Sequence, residues 1–158
     1  MAASMPLVDL LSTDRVVLDQ NLASKKSVLE KAAKLLAQGD QSVSSRDIFE
    51  GLCQRERLGS TGLGHGVAIP HCRVGQSSVS GAFIRLTRPI DFDSPDASSV
   101  DLFFALAVPS QCSEAHLKLL ASIAELFSDP RQREELRRAT DFRQLASILT
   151  GESKSESS

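Results

Sequence analysis

The 158-residue sequence contains no tryptophan and no tyrosine. Seven phenylalanines are its whole aromatic complement, and most lie in apolar runs, which leaves little for the stacking platforms that hold single-stranded nucleic acid. An excess of positive charge is also missing: 18 basic against 20 acidic side chains give a formal charge of −2, so no net field draws the chain onto a nucleic-acid backbone. The longest uninterrupted apolar run, Leu102 to Val108, falls far short of the about 20 residues needed to cross a bilayer. Met1 to Arg15 lacks a basic leader and carries Asp9 inside its short apolar part, unlike a secretory signal. The three cysteines, Cys53, Cys72 and Cys112, are odd in number and include no C-x-x-C pair. That argues against a disulfide framework or a ribbon-type zinc site and points to a reducing, cytoplasmic setting.

What remains is a globular balance, 41% apolar and 24% charged, at a length that suits one domain with a sizeable core. The pattern predicts a helix over Asn21 to Gln38, with Val28, Leu29, Ala32, Leu35 and Leu36 on one face, Ser24 as cap and Gly39 as a left-handed stop. A second helix is expected from Ser44 to Leu58, opened by a capping-box-like Ser44-x-x-Asp47 and ended by Gly59. Val67-Ala68-Ile69 reads as a short strand that ends at Pro70-His71. Val79 to Leu86 and Val100 to Val108 read as further strands, the second nearly all apolar and so central. The turn-rich run Arg88 to Asp96 separates them.

Ser113 opens a helix through Phe127 whose packing face is expected to be Leu117, Leu120, Ala121, Ala124 and Phe127, and Asp129-Pro130 stops it. Two short helices near Arg131 to Ala139 and Asp141 to Leu149 complete a domain of residues 1–151. Residues 152–158, at the end of GESKSESS, form a solvated polar tail. Strands alternating with helices imply an α/β fold: a single layered domain with a mixed β-sheet flanked by helices. Pattern alone does not fix the strand order.

Chemistry concentrates in one segment. Gly59-Ser-Thr-Gly-Leu-Gly-His-Gly66 places four glycines in eight positions, where backbone can take unusual conformations and approach a ligand closely. His71 follows at the end of a strand pinned by Pro70, a position from which a reactive side chain is presented. Histidine is the natural suspect because imidazole changes charge near neutral pH, although a lone histidine read by itself is more often structural. The glycine run has no following Lys-Ser/Thr and no G-x-G-x-x-G spacing, so it is not a nucleotide-binding loop. Cys112 with His116, and His71 with Cys72, match no standard zinc spacing. Asp91, Asp93 and Asp96 fit a solvated turn better than a cation loop. No cofactor or metal is indicated.

The run from Arg55 through Leu58-Gly-Ser-Thr-Gly-Leu-Gly-His-Gly-Val-Ala-Ile-Pro to His71 resembles the signature of enzyme IIA domains of the mannitol/fructose type in the bacterial phosphoenolpyruvate-dependent phosphotransferase system, most nearly their nitrogen-related branch. The resemblance extends from about Pro6 to Gly151. It implies that His71 accepts a phosphoryl group and that His116, near the start of the helix after the apolar strand, stabilises the phosphate. It also implies that Arg55 places a guanidinium on phosphate oxygens, with Ser60 and Thr61 as phosphate-binding donors of the loop. Read without the resemblance, Arg55 equally suits the macrodipole at a helix C-terminus, and Ser60 and Thr61 equally suit plain turn chemistry.

The family further implies a phosphocarrier rather than an independent turnover enzyme. Its donor would be a small HPr-like protein and its targets regulatory partners in nitrogen and potassium metabolism, of the potassium-transport or sensor-kinase kind, with no nucleic acid and no membrane insertion. Two alternatives stand beside this: a freestanding sugar-transport IIA component passing phosphate to a IIB domain, and a metal-binding hydrolase or binding module. The role of His65 is left open.

Overall fold

From Leu102 to Ala107 in the strand Val100–Pro109 the side chains divide by parity, as two-sided burial requires. Phe103, Ala105 and Ala107 join one apolar cluster, while Leu102, Phe104 and Leu106 join another on the opposite face. This is β6 of the computed structural model, which describes residues 10–39, 42–75, 79–111 and 113–150, and of Ser113, Ala115, His116 and Thr150 the backbone alone. The polar tail at 152–158 and Cys112 lie outside the described residues.

The elements run β1 (Val16–Gln20), α1 (Lys25–Gly39), α2 (Ser45–Arg57), β2 (Gly62–Gly64), β3 (Val67–Ala68), β4 (His71–Val74), β5 (Ser80–Ile90), β6, α3 (Ser113–Phe127), α4 (Pro130–Arg138) and α5 (Phe142–Thr150). Six strands form one mixed sheet in the order β1-β5-β6-β3-β2, with β4 also on β6. β5 is antiparallel to β6, whereas β1 on β5, and β3 and β4 on β6, are parallel. Helices α1 and α2 cover one face and α3, α4 and α5 the other, the α/β layering expected of the sequence.

The caps explain the helix boundaries. Ser24 Oγ accepts from the Ser27 amide at 3.1 Å, so α1 begins four residues after the predicted Asn21. Ser44 Oγ accepts from the Asp47 amide at 3.1 Å, and Asp129 caps α4 with Pro130 in its first turn. Gly39 is not the left-handed stop expected of it. It is the last residue of α1, and a Cβ there would meet the Ser80 Cβ at 2.7 Å, so close packing explains the glycine.

The strand carrying Val67 does not end at Pro70-His71. Val67 pairs with Leu102 and His71 with Leu106 in one continuous register, so β3 and β4 are a single extended run along β6. Only Pro70, which has no N–H to give, interrupts the ladder, and its carbonyl still accepts from the Leu106 amide at 2.9 Å. The neighbouring strand β2 leaves at this point: the Ile69 amide donates to the Thr61 carbonyl at 3.1 Å, and beyond it the chain turns back towards α2. His71 therefore opens β4 where the sheet has lost its outer strand, and its side chain meets the ends of helices from both layers.

Candidate functional site

The His71 ring is oriented by its own backbone neighbour. Nδ1 lies 2.8 Å from the Ile69 carbonyl oxygen, which can only accept, so the ring proton sits on Nδ1 and the lone pair on Nε2. Nε2 in turn accepts from Arg55 Nε at 3.3 Å. Burial of the half-exposed ring is the main cause that holds its pKa below the ordinary imidazole range. The Ile69 carbonyl pulls the other way and the Arg55 charge adds to the lowering. At neutral pH the ring is thus an uncharged base in a fixed tautomer, with the lone pair of Nε2 facing Arg55.

Arg55 stands in the last turn of α2, and its Nη1 donates to the Gly59 carbonyl at 2.8 Å. One guanidinium therefore joins the helix end, the glycine loop and His71. The adjacent Glu56 faces inward. Its carboxylate takes the Thr61 amide at 3.2 Å and the Thr61 hydroxyl, and pairs with Lys25 Nζ at 3.0 Å. Lys25 also reaches Asp93 at 3.3 Å and lies 4.6 Å from the Phe92 ring centroid. Neither Glu56 nor Lys25 was singled out from the sequence. The available signal was a glutamate next to the candidate arginine, on a helix position that points into the fold.

Ser60 Oγ donates to the Phe92 carbonyl at 2.7 Å and accepts from the Gly62 amide at 3.0 Å. Both hydroxyls of the loop, Ser60 and Thr61, thus give their protons to the protein, and a phosphate oxygen reaches them only by exchange with those partners. His65 sits at the β2–β3 turn with φ of 58°, held by Asp96 through its amide at 3.0 Å and by Arg137 through its carbonyl at 2.9 Å. It lines neither depression at His71. Asp96, hydrogen-bonded by Ser98 and the His65 amide, has its pKa lowered to about 2, which marks an ionised turn anchor. His116 lies in the first turn of α3; its side chain is outside the described residues.

Two open depressions flank His71. The larger, about 680 Å³, is lined by Gly51, Gln54, Arg55, Leu58, Cys72, Arg73, Leu117 and Leu120. The smaller, about 330 Å³, is lined by Arg55, Ser60, Thr61, Gly62, Leu63, Ile69, Leu120, Ala121 and Ala124. Among the described lining residues none is acidic, and Arg55 and Arg73 are basic. Leu58, Leu63 and Leu117 stand 84%, 42% and 63% exposed around the histidine, an apolar rim of the kind that marks a protein contact. Here the expected packing face of α3 is corrected. Phe127 enters the core and Leu120 and Ala124 pack half-buried against it, as expected, joined by Ile123, whereas Leu117 and Ala121 face outward and form part of the wall of the site.

Cys72 is buried, and burial pushes its thiol up to about 12, so the neighbour of His71 is no rival nucleophile. Among the described residues no group of three or more His, Cys, Asp or Glu is placed to hold a metal, and no helix is long and apolar enough to cross a membrane.

Comparison with known proteins bears on this geometry. Residues 9–151 match the family described as phosphoenolpyruvate-dependent sugar phosphotransferase system, EIIA 2. A nitrogen regulatory protein of Pseudomonas aeruginosa is 42% identical over 144 residues, covering 90% of this chain and 94% of the relative. One from Bradyrhizobium diazoefficiens is 41% identical, covering 92% and 95%. The crystal structure of the nitrogen regulatory protein IIA-Ntr from Neisseria meningitidis superposes with a TM-score of 0.87 at 42% identity, covering 91% of this chain and 99% of that one. The mannitol IIA of Escherichia coli, at 20% identity, shares the fold with a TM-score of 0.75, covering 88% and 98%. Over nearly its whole length, then, this chain belongs to the EIIA 2 family of the phosphotransferase system, and among its relatives are proteins named nitrogen regulatory protein.

Proposed function

We propose that the chain is a phosphocarrier whose His71 Nε2 accepts a phosphoryl group from a phosphohistidine on a small HPr-like donor, and that its phosphorylation state regulates partner proteins in nitrogen and potassium metabolism. The observation that carries this reading is the pairing at one ring: Nδ1 tied to the Ile69 carbonyl and Nε2 facing Arg55. As Arg55 passes its N–H from Nε2 to the oxygens of the incoming phosphoryl group, the released lone pair attacks phosphorus, the donor's P–N bond breaks as the new one forms, and the donor imidazole leaves neutral. No proton needs to move, because Nδ1 keeps its own on the Ile69 carbonyl while the phosphorylated ring gains the positive charge the donor ring loses.

The remaining demand of such a transfer is charge neutralisation of the equatorial oxygens. Arg55 supplies a guanidinium within reach of the reacting nitrogen, and His116 is assigned the companion role from the first turn of α3, where free backbone N–H groups favour an anion. Ser60 and Thr61 bound the phosphate site from the loop. Adding a dianion beside Arg55 and Arg73 changes the local potential, which gives a partner a difference to recognise.

The test is incubation with a radiolabelled phospho-HPr-like carrier and site mapping by mass spectrometry. The expected result is acid-labile, base-stable label on His71, all of it lost in His71→Ala, with slower transfer in a folded His116→Ala. Undiminished labelling of His71→Ala overturns the reading. Onward transfer to a sugar through a IIB domain would replace the regulatory role with that of a transport component.

A further inference from the structure

Gly51 sits in the interior of α2, where glycine is a poor helix former compared with alanine, so its presence there needs a reason. It lies one turn before Arg55 on the same face of the helix. A Cβ built on it would stand 3.0 Å from the Cβ and 3.2 Å from the Sγ of Cys72, closer than the about 3.5–4.0 Å of ordinary carbon contact. Cys72 has little room to yield. Its backbone is paired with Ala107 on β6, and its thiol is buried with Sγ 3.8 Å from the Ile48 carbonyl. Rotating the thiol frees the sulfur but not the Cβ, whose place the strand fixes. A side chain at position 51 is therefore accommodated by α2 moving away from β4 by a few tenths of an ångström. The contact from Arg55 to His71 absorbs that poorly, because Nε is already 3.3 Å from Nε2 and the far end of the guanidinium is held by the Gly59 carbonyl at 2.8 Å.

The geometry points to Gly51 as a positioning residue: its bare Cα against Cys72 sets how closely α2 lies on β4, and so whether Arg55 reaches the nitrogen of His71. Positions 51 and 72 share one side chain between them. The functional consequence rests on the phosphocarrier reading of His71, whereas the spacing itself does not.

The experiment uses the full chain and phosphoramidate, a small phosphoryl donor that needs no docking face and releases ammonia as the P–N bond to His71 forms. Nitrogen NMR follows the His71 ring titration in the unphosphorylated protein, where the charged groups acting on the ring among the described residues are Arg55 and Glu56 from α2 and Arg73 from β4. Gly51→Ala is expected to slow labelling about tenfold and to move the ring's titration upward as the guanidinium retreats. The same substitution placed on Arg55→Ala should change neither quantity, and Gly51→Ala with Cys72→Gly should restore both. Wild-type labelling and titration in Gly51→Ala overturn the proposal, as does an undiminished further loss on the Arg55→Ala background. If Gly51→Ala is too unstable to assay, the double variant decides: it must fold and label as wild type, and its failure to do so overturns the proposal. A wild-type chain that takes no label, while Gly51→Ala still moves the titration, defeats the phosphocarrier reading and leaves the positioning role standing.

Discussion

Helices α1 and α3 are each 15 residues long and each carries leucine and alanine at helical spacing, yet the two stripes end in different surroundings. In α1, Val28, Leu29, Ala32, Ala33, Leu35 and Leu36 are all buried, none more than 3% exposed. In α3 Phe127 and the neighbouring Ile123 are buried in the core, Leu120 and Ala124 pack half-buried against it, and Leu117 and Ala121 face outward, with Leu117, Leu120, Ala121 and Ala124 all lining the depressions beside His71. The same periodicity thus marks a core face in one helix and, in the first half of the other, a face that is partly open around His71. Hydrophobic spacing says which residues share a face; it does not say whether the fold or a partner covers that face.

Truncation separates the two most sharply. Leu36→Ala removes a fully buried side chain and should cost about 2–5 kcal/mol, the usual range for a leucine cavity. Leu117→Ala, on a residue 63% exposed, should stay within about 0.5 kcal/mol of wild type. Urea unfolding of both variants checks this, and comparable losses in the two would mean that the α3 wall belongs to the core after all.

Much of the architecture was legible because local chemistry agreed with tertiary packing. Ser44 caps the helix it announces, Asp129-Pro130 stands between α3 and α4 as expected, with Asp129 also capping α4, and the nearly unbroken apolar run of β6 is the central strand, with pairing partners on both sides. The sequence was silent where the decisive contact is distant in the chain. Pro70 signals a strand end locally, yet the strand resumes because β6 continues to pair with His71–Val74 in the same register. The three-residue β2 exists through pairing with β3 across a turn built on left-handed Gly64, His65 and Gly66. At the site, His71 and Arg55 could be named from the family resemblance. Glu56, which ties Thr61 to Lys25, was passed over although it follows Ile48 and Leu52 at helical spacing, because a glutamate on a helix of mostly polar residues reads as solvent-facing. Gly51 was equally mute, since the reason for it is Cys72, on a different element.

Charge placed on the wall gives the second contrast. If the exposed leucines receive the donor protein, Leu117→Glu should slow transfer from a phospho-HPr-like carrier about tenfold, because a buried unpaired carboxylate is costly at an apolar contact. Labelling by phosphoramidate, which needs no such contact, should change little. Equal slowing with both donors would show that Leu117 serves the chemistry of His71 rather than the docking of a protein.

The smallest effect concerns pH and asks whether the α3 wall also shelters the proposed acceptor, His71. Burial is the largest cause of the lowered His71 pKa, and Leu120 lines both depressions around the ring. An imidazole with a lowered pKa stays neutral, and so nucleophilic, as the pH falls through the ordinary histidine range of about 6.5. Phosphoramidate labelling should therefore hold level from pH 8 through that range and decline only below it. Leu120→Ala admits water to the ring, eases solvation of the protonated form and raises the pKa, so the decline should begin at a higher pH. Leu36→Ala, on the far side of the sheet, should leave the onset where it is. A profile in Leu120→Ala superimposable on wild type would assign the shelter of His71 to Ile69 and α2 instead of α3, and the contrast between the two stripes would then rest on docking alone.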